Sequence, residues 1–128
     1  MRALLDTHAA YWYAVDDPNL YATAKAFIQN AANELLVSPA SYWEMAIKVH
    51  TGKWQLLLPY DQLVDPLFSV YQFGHLPILP AHTFRLIGLP DHHKDPFDRL
   101  LIAQALVEGI PVVSTDVRFD LYGVTRIW

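Results

Sequence analysis

The chain contains no cysteine. This absence excludes a disulfide framework, a zinc site built from thiolates and a cysteine nucleophile, and it fits a cytoplasmic protein. No apolar run approaches the roughly 20 residues that span a bilayer, so we expect no membrane segment. Only Arg2 precedes the first apolar run, and we therefore expect no cleavable leader.

Positive charge is also scarce. The chain has nine Lys and Arg residues and 13 Asp and Glu residues, which gives a formal net charge of −4. This balance argues against a broad basic surface that binds duplex nucleic acid. A nuclease stays possible, because metal-binding carboxylates lower the count and a bound ion changes the charge that the substrate meets. A glycine-rich phosphate loop and a serine nucleophile elbow are both missing.

Apolar residues, by contrast, make up 53% of the 128 residues, enough for a substantial core in one domain, 1–128. Strand and helix patterns alternate along the chain, which predicts an α/β fold with a central, mostly parallel, twisted sheet of about four to five strands flanked by helices. The predicted strands are 2–5, 34–37, 76–79, 111–114 and 124–127. The predicted helices are 7–15, 20–33, 39–52, 61–73, 81–87 and 96–109.

Two acids follow strand-like runs. Asp6 ends the run Ala3-Leu4-Leu5, and Asp116 follows the run from Ile110 to Thr115. Parallel sheets bind ligands beyond the carboxyl ends of their strands, so these carboxylates are candidates for one site. A helix N-cap at Asp6 and a turn at Asp116 explain each acid separately, and both alternatives stay open.

Glu44 lies on the polar stripe of a helix that is otherwise apolar. Ser41, Glu44 and Lys48 fall at helical spacing on that stripe. One interpretation is a solvated ion pair between residues four apart. The other is a stripe that lines a cleft, with Glu44 as a site carboxylate and Lys48 close to a phosphate.

A second helix begins with two competing acids. Asp95 precedes Pro96 and has the position of an N-cap, whereas Asp98 is its third residue. Asp98 can serve as a capping-box acid. The helix is apolar on nearly all sides, however, which favours Asp98 as the acid that faces the site and leaves Asp95 a secondary role.

The histidines at positions 92 and 93 form the third polar feature. Adjacent residues rarely point the same way, which disfavours a metal pair, and we expect a polar loop at the mouth of the site. Lys94 and Arg99 are then available to bind phosphate. Trp12 and Tyr13 are candidates for both the core and a partner surface.

Four carboxylates that converge would bind a hard cation such as Mg²⁺. Other acidic-pocket proteins fit less well. A receiver domain would need paired acids after the first strand and a late lysine, but Thr7 follows Asp6 and no lysine follows Lys94. A haloacid-dehalogenase-like phosphotransferase would need an acid where His8 stands. A non-catalytic binding module with a nuclease-like fold stays open.

Four segments together resemble PIN-domain nucleases, and they are most similar to the VapC-type toxins of bacterial and archaeal toxin–antitoxin pairs. The segments are 4–8, 41–44, 95–105 and 112–119. The resemblance covers essentially the whole chain. It implies a PIN-domain fold and an endoribonuclease that depends on Mg²⁺ or Mn²⁺. It also implies a homodimer and a small antitoxin whose C-terminal segment lies along the cleft.

Carried over by position, the resemblance also assigns residues to the site. The catalytic set it implies is Asp6, Glu44, Asp98 and Asp116. Three of these acids, Asp6, Asp98 and Asp116, are the expected metal ligands. The expected substrate-binding residues are Lys48, Lys94, Arg99 and Ser114.

Overall fold

The computed structural model describes all 128 residues and contains a five-stranded parallel sheet. The strands are β1 (Arg2–Leu5), β2 (Glu34–Val37), β3 (Gly74–His75), β4 (Val112–Val113) and β5 (Arg126–Ile127). The helices are α1 (Thr7–Ala14), α2 (Ala22–Gln29), α3 (Pro39–His50), α4 (Tyr60–Ser69), α5 (Pro80–Ile87) and α6 (Pro96–Glu108), and a 3₁₀ helix spans Val117–Tyr122. This architecture confirms the predicted α/β fold.

The strand order β3-β2-β1-β4-β5 places β1 at the centre of the sheet. Leu4 of β1 pairs with Leu36 of β2 on one side and with Val112 of β4 on the other. The order of the strands therefore reverses at the boundary between β1 and β4. In open parallel sheets, the crevice beyond the strand ends at this point is the usual ligand site.

Both faces of the sheet are covered, because side chains alternate along each strand. Ala3 and Leu5 pack on one face with α1, α2 and α4. Leu4 packs on the other face with α6 and Phe119. Trp12 and Tyr13 are half-buried at the edge of the first layer, which supports a core role for them.

The helix starts agree with their sequence signals. Ser38 caps α3 by accepting a hydrogen bond from the Ala40 N–H, and Pro39 is the first helical residue. Asp95 caps α6, and Gly109, the residue after its last turn, has a φ of 65°. Such a left-handed φ favours glycine.

Other predicted boundaries were wrong. β3 lies at Gly74–His75 and not at 76–79. Leu76 still donates its N–H to the Val37 carbonyl at 3.0 Å, but the proline that follows has no N–H to continue the ladder. The second helix ends at Gln29 and not at residue 33, because the Asn30 side chain accepts a hydrogen bond from the Ala32 N–H and forms a turn.

The fourth helix is also shorter than predicted. It ends at Ser69 and not at residue 73. Gln72 has a φ of 58°, which is incompatible with a continuing right-handed helix. The helices are too short or too polar for any of them to span a bilayer.

Candidate functional site

A cavity of about 440 Å³ opens among the elements that follow β1, β2 and β4. Its lining includes five carboxylates and two cationic side chains, and only one of its residues is hydrophobic. The carboxylates are those of Asp6, Glu44, Asp95, Asp98 and Asp116, and the cations are Lys48 and Arg118. The prediction that the four acids converge at one edge of the sheet is therefore confirmed.

Asp6 is the N-cap of α1 and also lines the cavity. It caps α1 by accepting a hydrogen bond from the Ala9 N–H at 2.7 Å, and its residue is 7% exposed. Burial raises the pKa of its carboxyl, whereas hydrogen bonds from the Ser114 hydroxyl and the Ala9 N–H act in the opposite direction. Asp6 therefore caps α1, as the N-cap alternative proposed, and it also lines the acidic cavity.

Glu44 is almost completely buried. It is 2% exposed, and one of its oxygens accepts a hydrogen bond from the Thr7 hydroxyl at 2.7 Å. The other oxygen accepts from the ammonium of Lys48. Burial alone would lower the pKa of Lys48, but the hydrogen bond to Glu44 and its charge raise it. The predicted ion pair between residues four apart therefore forms, but it is largely buried and does not lie on a solvated face. Glu44 and Lys48 both line the cavity.

Asp95 is the N-cap of α6 as predicted, and both Asp95 and Asp98 line the cavity. Asp95 accepts hydrogen bonds from the Phe97 N–H at 2.8 Å and the Asp98 N–H at 3.2 Å. Burial, together with the charges of Asp95, Glu44 and other acids, raises the pKa of Asp98 from 3.8 to about 8. The Asp95 N–H donates to His93 at 3.2 Å, so Asp98 does not complete a capping box.

Asp116 forms the ion pair that faces solvent in this cavity. Its two oxygens accept hydrogen bonds from the Arg118 guanidinium at 3.0 and 2.9 Å. Burial favours a higher pKa for Asp116, but the hydrogen bonds from Arg118 and His93 outweigh it and lower the pKa. Sequence reasoning did not include Arg118, although its position two residues after Asp116 was a readable signal.

His93 is the second residue that sequence reasoning missed. It is 2% exposed, and its Nε2 lies 2.8 Å from Oδ2 of Asp116 and 3.1 Å from Oδ2 of Asp98. Its Nδ1 accepts the Asp95 N–H, which places the ring proton on Nε2, where it is shared between the two carboxylates. His92, by contrast, is exposed, packs on Tyr122 and is not part of the cavity lining.

The predicted phosphate ligands are only partly brought to the cavity. Lys48 lines it, Ser114 lies fully buried beneath it, and Lys94 is exposed outside its lining. Arg99 lies elsewhere, because its guanidinium donates to the carbonyls of Pro90 at 2.8 Å and Leu89 at 3.2 Å. Arg99 therefore holds the loop that precedes α6.

The donor set of the cavity fits a hard divalent cation. If all its carboxylates are ionised, their charge exceeds that of the two cationic side chains by three. Burial first, and then this crowding of negative charge, raise the pKa of Asp98. Carboxylate oxygens in such a cluster are the ligands that Mg²⁺ and Mn²⁺ prefer.

Comparisons with known proteins give a consistent result. A sequence model of the PIN domain matches residues 3–124. Ribonuclease VapC22 of Mycobacterium tuberculosis is 32% identical over 120 residues, which cover 90% of this chain and 87% of that protein.

Two solved structures have a similar fold at low sequence identity. VapBC2 from Rickettsia felis, bound to a DNA fragment from its promoter, matches with a TM-score of 0.69 and 16% identity over 98% of this chain and 97% of the other. VapBC-1 from nontypeable Haemophilus influenzae matches with a TM-score of 0.68 and 17% identity over 98% and 96%. At such identities these likenesses establish the fold.

Proposed function

This chain belongs to the PIN-domain family, and we propose that it is a metal-dependent endoribonuclease and the toxin of a toxin–antitoxin pair. The observation that carries the proposal is the cavity in which Asp6, Glu44, Asp98 and Asp116 converge beyond the central strands. The relative named as a ribonuclease is similar over 90% of this chain. The substrate would be cytoplasmic RNA.

Asp6, Asp98 and Asp116 would hold the Mg²⁺ or Mn²⁺. When bound, such an ion lowers the pKa of a water ligand and neutralises the phosphate oxygens. Asp98 lies near the entry of the cavity, with 21% of its side chain exposed. Its high pKa means that it would release a proton on binding the cation.

The remaining side chains position the acids and receive the RNA. Thr7 and Lys48 hold the two oxygens of Glu44, so this carboxylate has a fixed orientation toward the cavity. His93 fixes the facing oxygens of Asp98 and Asp116. Lys48 and Arg118 supply the positive charge that a phosphodiester needs on its approach.

Two protein partners belong to the proposal. The first is an antitoxin, since the similar solved structures are VapBC assemblies. A basic side chain from its C-terminal segment would pair with the cavity acids and exclude both metal and RNA. The second is another copy of this chain. Phe84 and Ile87 on α5 are 77% and 83% exposed, and exposed apolar side chains of this size favour a protein contact.

The cleavage assay that tests this function uses the purified chain, freed of any partner, with single-stranded RNA. We expect cleavage with Mg²⁺ or Mn²⁺ and none with EDTA. Asp6→Asn should abolish cleavage while the circular-dichroism spectrum is retained, because asparagine can still cap α1 but contributes no charge. Undiminished cleavage in EDTA, or by Asp6→Asn, would contradict the mechanism.

The partner assays are separate from the cleavage assay. Light scattering of the isolated chain should give the mass of a dimer, and the protein encoded beside this chain should bind it and inhibit cleavage. A monomer that its neighbour neither binds nor inhibits would refute both partner proposals and leave the nuclease proposal in place.

A further inference from the structure

A second cavity, of about 370 Å³, adjoins the acidic one. Four residues line it, namely His8, Lys48, Lys53 and Trp54. His8 and Lys48 also line the acidic cavity, so the two cavities are direct neighbours. No carboxylate lines the second cavity, and its chemical character is therefore opposite to that of its neighbour.

The turn after α3 builds this second cavity. Gly52 has a φ of 74°, and the N–H groups of Lys53 and Trp54 both donate to the Lys48 carbonyl, at 2.9 and 3.1 Å. The chain thus folds back over the end of α3. This turn places an ammonium group and an indole ring beside the acids, although both are far from Asp6 in the sequence.

Trp54 is held in position by two other rings. Its indole stacks on the His8 imidazole, with centroids 4.8 Å apart and planes 13° apart. The Tyr11 ring meets it edge-on at 5.0 Å, and the Tyr11 hydroxyl accepts a hydrogen bond from the Leu57 N–H. The aromatic wall of the cavity is therefore preformed and does not need to be ordered by a ligand.

The cationic groups of the cavity are not equivalent. The ammonium group of Lys48 forms an ion pair with Glu44. Lys53 is exposed and forms no ion pair. A ligand that enters the second cavity consequently meets one free ammonium group and an aromatic wall. That combination suits a phosphate and a base, which single-stranded nucleic acid carries on every nucleotide.

We propose that this cavity binds the RNA nucleotide next to the scissile phosphate, with its phosphate on Lys53 and its base against His8 and Trp54. This inference rests on the proposed nuclease function. An antitoxin segment is a weaker candidate for this cavity. A basic segment that pairs with the acids would be repelled by the positive charge of Lys53. RNA is compatible with both cavities, because a bound cation would balance the charge of the carboxylates and a phosphate of the strand would pair with Lys53.

The phosphate contact is tested by fluorescence anisotropy with 5′-fluorescein-labelled oligouridylate of eight nucleotides. The parent is the full chain with Asp6→Asn, which prevents cleavage during the titration. Lys53→Ala should raise the Kd about three- to tenfold. The slope of log Kd against log salt concentration should fall by about one, the value of one phosphate contact. Arg85→Ala removes an exposed charge on α5, outside both cavities, and should leave the Kd within about 1.5-fold.

The base contact needs a second probe with the same phosphates and no bases. Trp54→Leu should raise the Kd for oligouridylate about tenfold, the usual scale of base stacking on an aromatic ring, and should not affect the abasic oligomer. Lys53→Ala should weaken both probes equally. Trp54→Phe should restore most of the affinity for oligouridylate, which separates stacking from a loss of fold.

The subsite is overturned if Lys53→Ala and Trp54→Leu both bind oligouridylate like their parent. It is also overturned if these substitutions weaken only the binding of the antitoxin. Failure of the proposed function gives a different result, in which the unsubstituted chain with Mn²⁺ cleaves no RNA. Binding that still depends on Lys53 and Trp54 would then support the subsite on its own.

Discussion

Paired substitutions can separate the role of Asp95 as the N-cap of α6 from the proposed role of Asp98 as a metal ligand. Asp95→Ala removes the acceptor of two N–H groups at the start of α6. Loss of such a cap costs about 1 kcal/mol, or about 3 °C in melting temperature for a domain of this size. Asp95→Asn is the matched control, since asparagine caps about as well and carries no charge.

Asp98→Asn should have the opposite effect on stability. Folding raises the pKa of Asp98 from 3.8 to about 8, so the unfolded chain releases this proton at a lower pH than the folded chain does. The wild-type chain therefore loses stability as the pH rises from 3.8 to about 8, and the asparagine variant does not share this loss.

The size of the effect follows from the pKa and the exposure of the group. The pKa difference sets a ceiling of about 6 kcal/mol. The Asp98 side chain is 21% exposed, and screening by water reduces the expected gain to about 2 kcal/mol at pH 8.5. At pH 5 the gain should fall to about a third of that value, because the loss of stability accumulates over the whole range from pH 3.8 to about 8.

Thermal unfolding in EDTA at pH 5 and pH 8.5 measures both effects, and an RNA cleavage assay accompanies it. We expect Asp95→Ala to melt lower and keep much of its activity, and Asp98→Asn to melt higher at pH 8.5 and lose activity. A melting temperature of Asp98→Asn that follows the wild type at every pH would refute the reasoning about the buried charge. The reversed activity pattern would show that the two roles are exchanged.

Three further predictions concern the groups around the acids. Lys48→Met leaves the buried carboxylate of Glu44 without its cation and should lower stability by about 2 kcal/mol in chemical denaturation; an unchanged midpoint would contradict this. His93→Ala removes the donor shared by two carboxylates and should weaken Mn²⁺ binding about tenfold in calorimetry, whereas equal affinity would show that His93 does not position them. Arg118→Ala should raise the pKa of Asp116 in a carboxyl NMR titration and change stability by less than about 1 kcal/mol, because the Arg118 side chain is 55% exposed.

The sequence was sufficient to predict the elements with strong local signals. The central strands are nearly continuous apolar runs, and two helices begin with a capping residue followed by proline. The convergence of Asp6 with Asp116 also followed from the pattern, because both acids end strands of a parallel sheet. The third strand was misplaced because only two of its residues pair, and prolines interrupt the apolar run that suggested it.

The residues that were missed depend on contacts distant in sequence. His93 enters the acidic cluster because the Tyr122 hydroxyl accepts its backbone N–H at 2.7 Å. Arg99 was assigned to phosphate because we expected a polar loop at the mouth of the site beside it, but the carbonyls of that loop accept hydrogen bonds from its guanidinium. Charge and spacing along one segment cannot reveal a partner that another segment supplies.

We propose that the acids beyond the central strands bind the catalytic cation. Anomalous diffraction from a crystal of this chain soaked in Mn²⁺ would locate the ion. We expect a manganese peak in contact with the carboxylates of Asp6, Asp98 and Asp116, and no such peak in Asp6→Asn. A soaked crystal with an accessible cleft and no peak there, or a peak that Asp6→Asn retains unchanged, would contradict it.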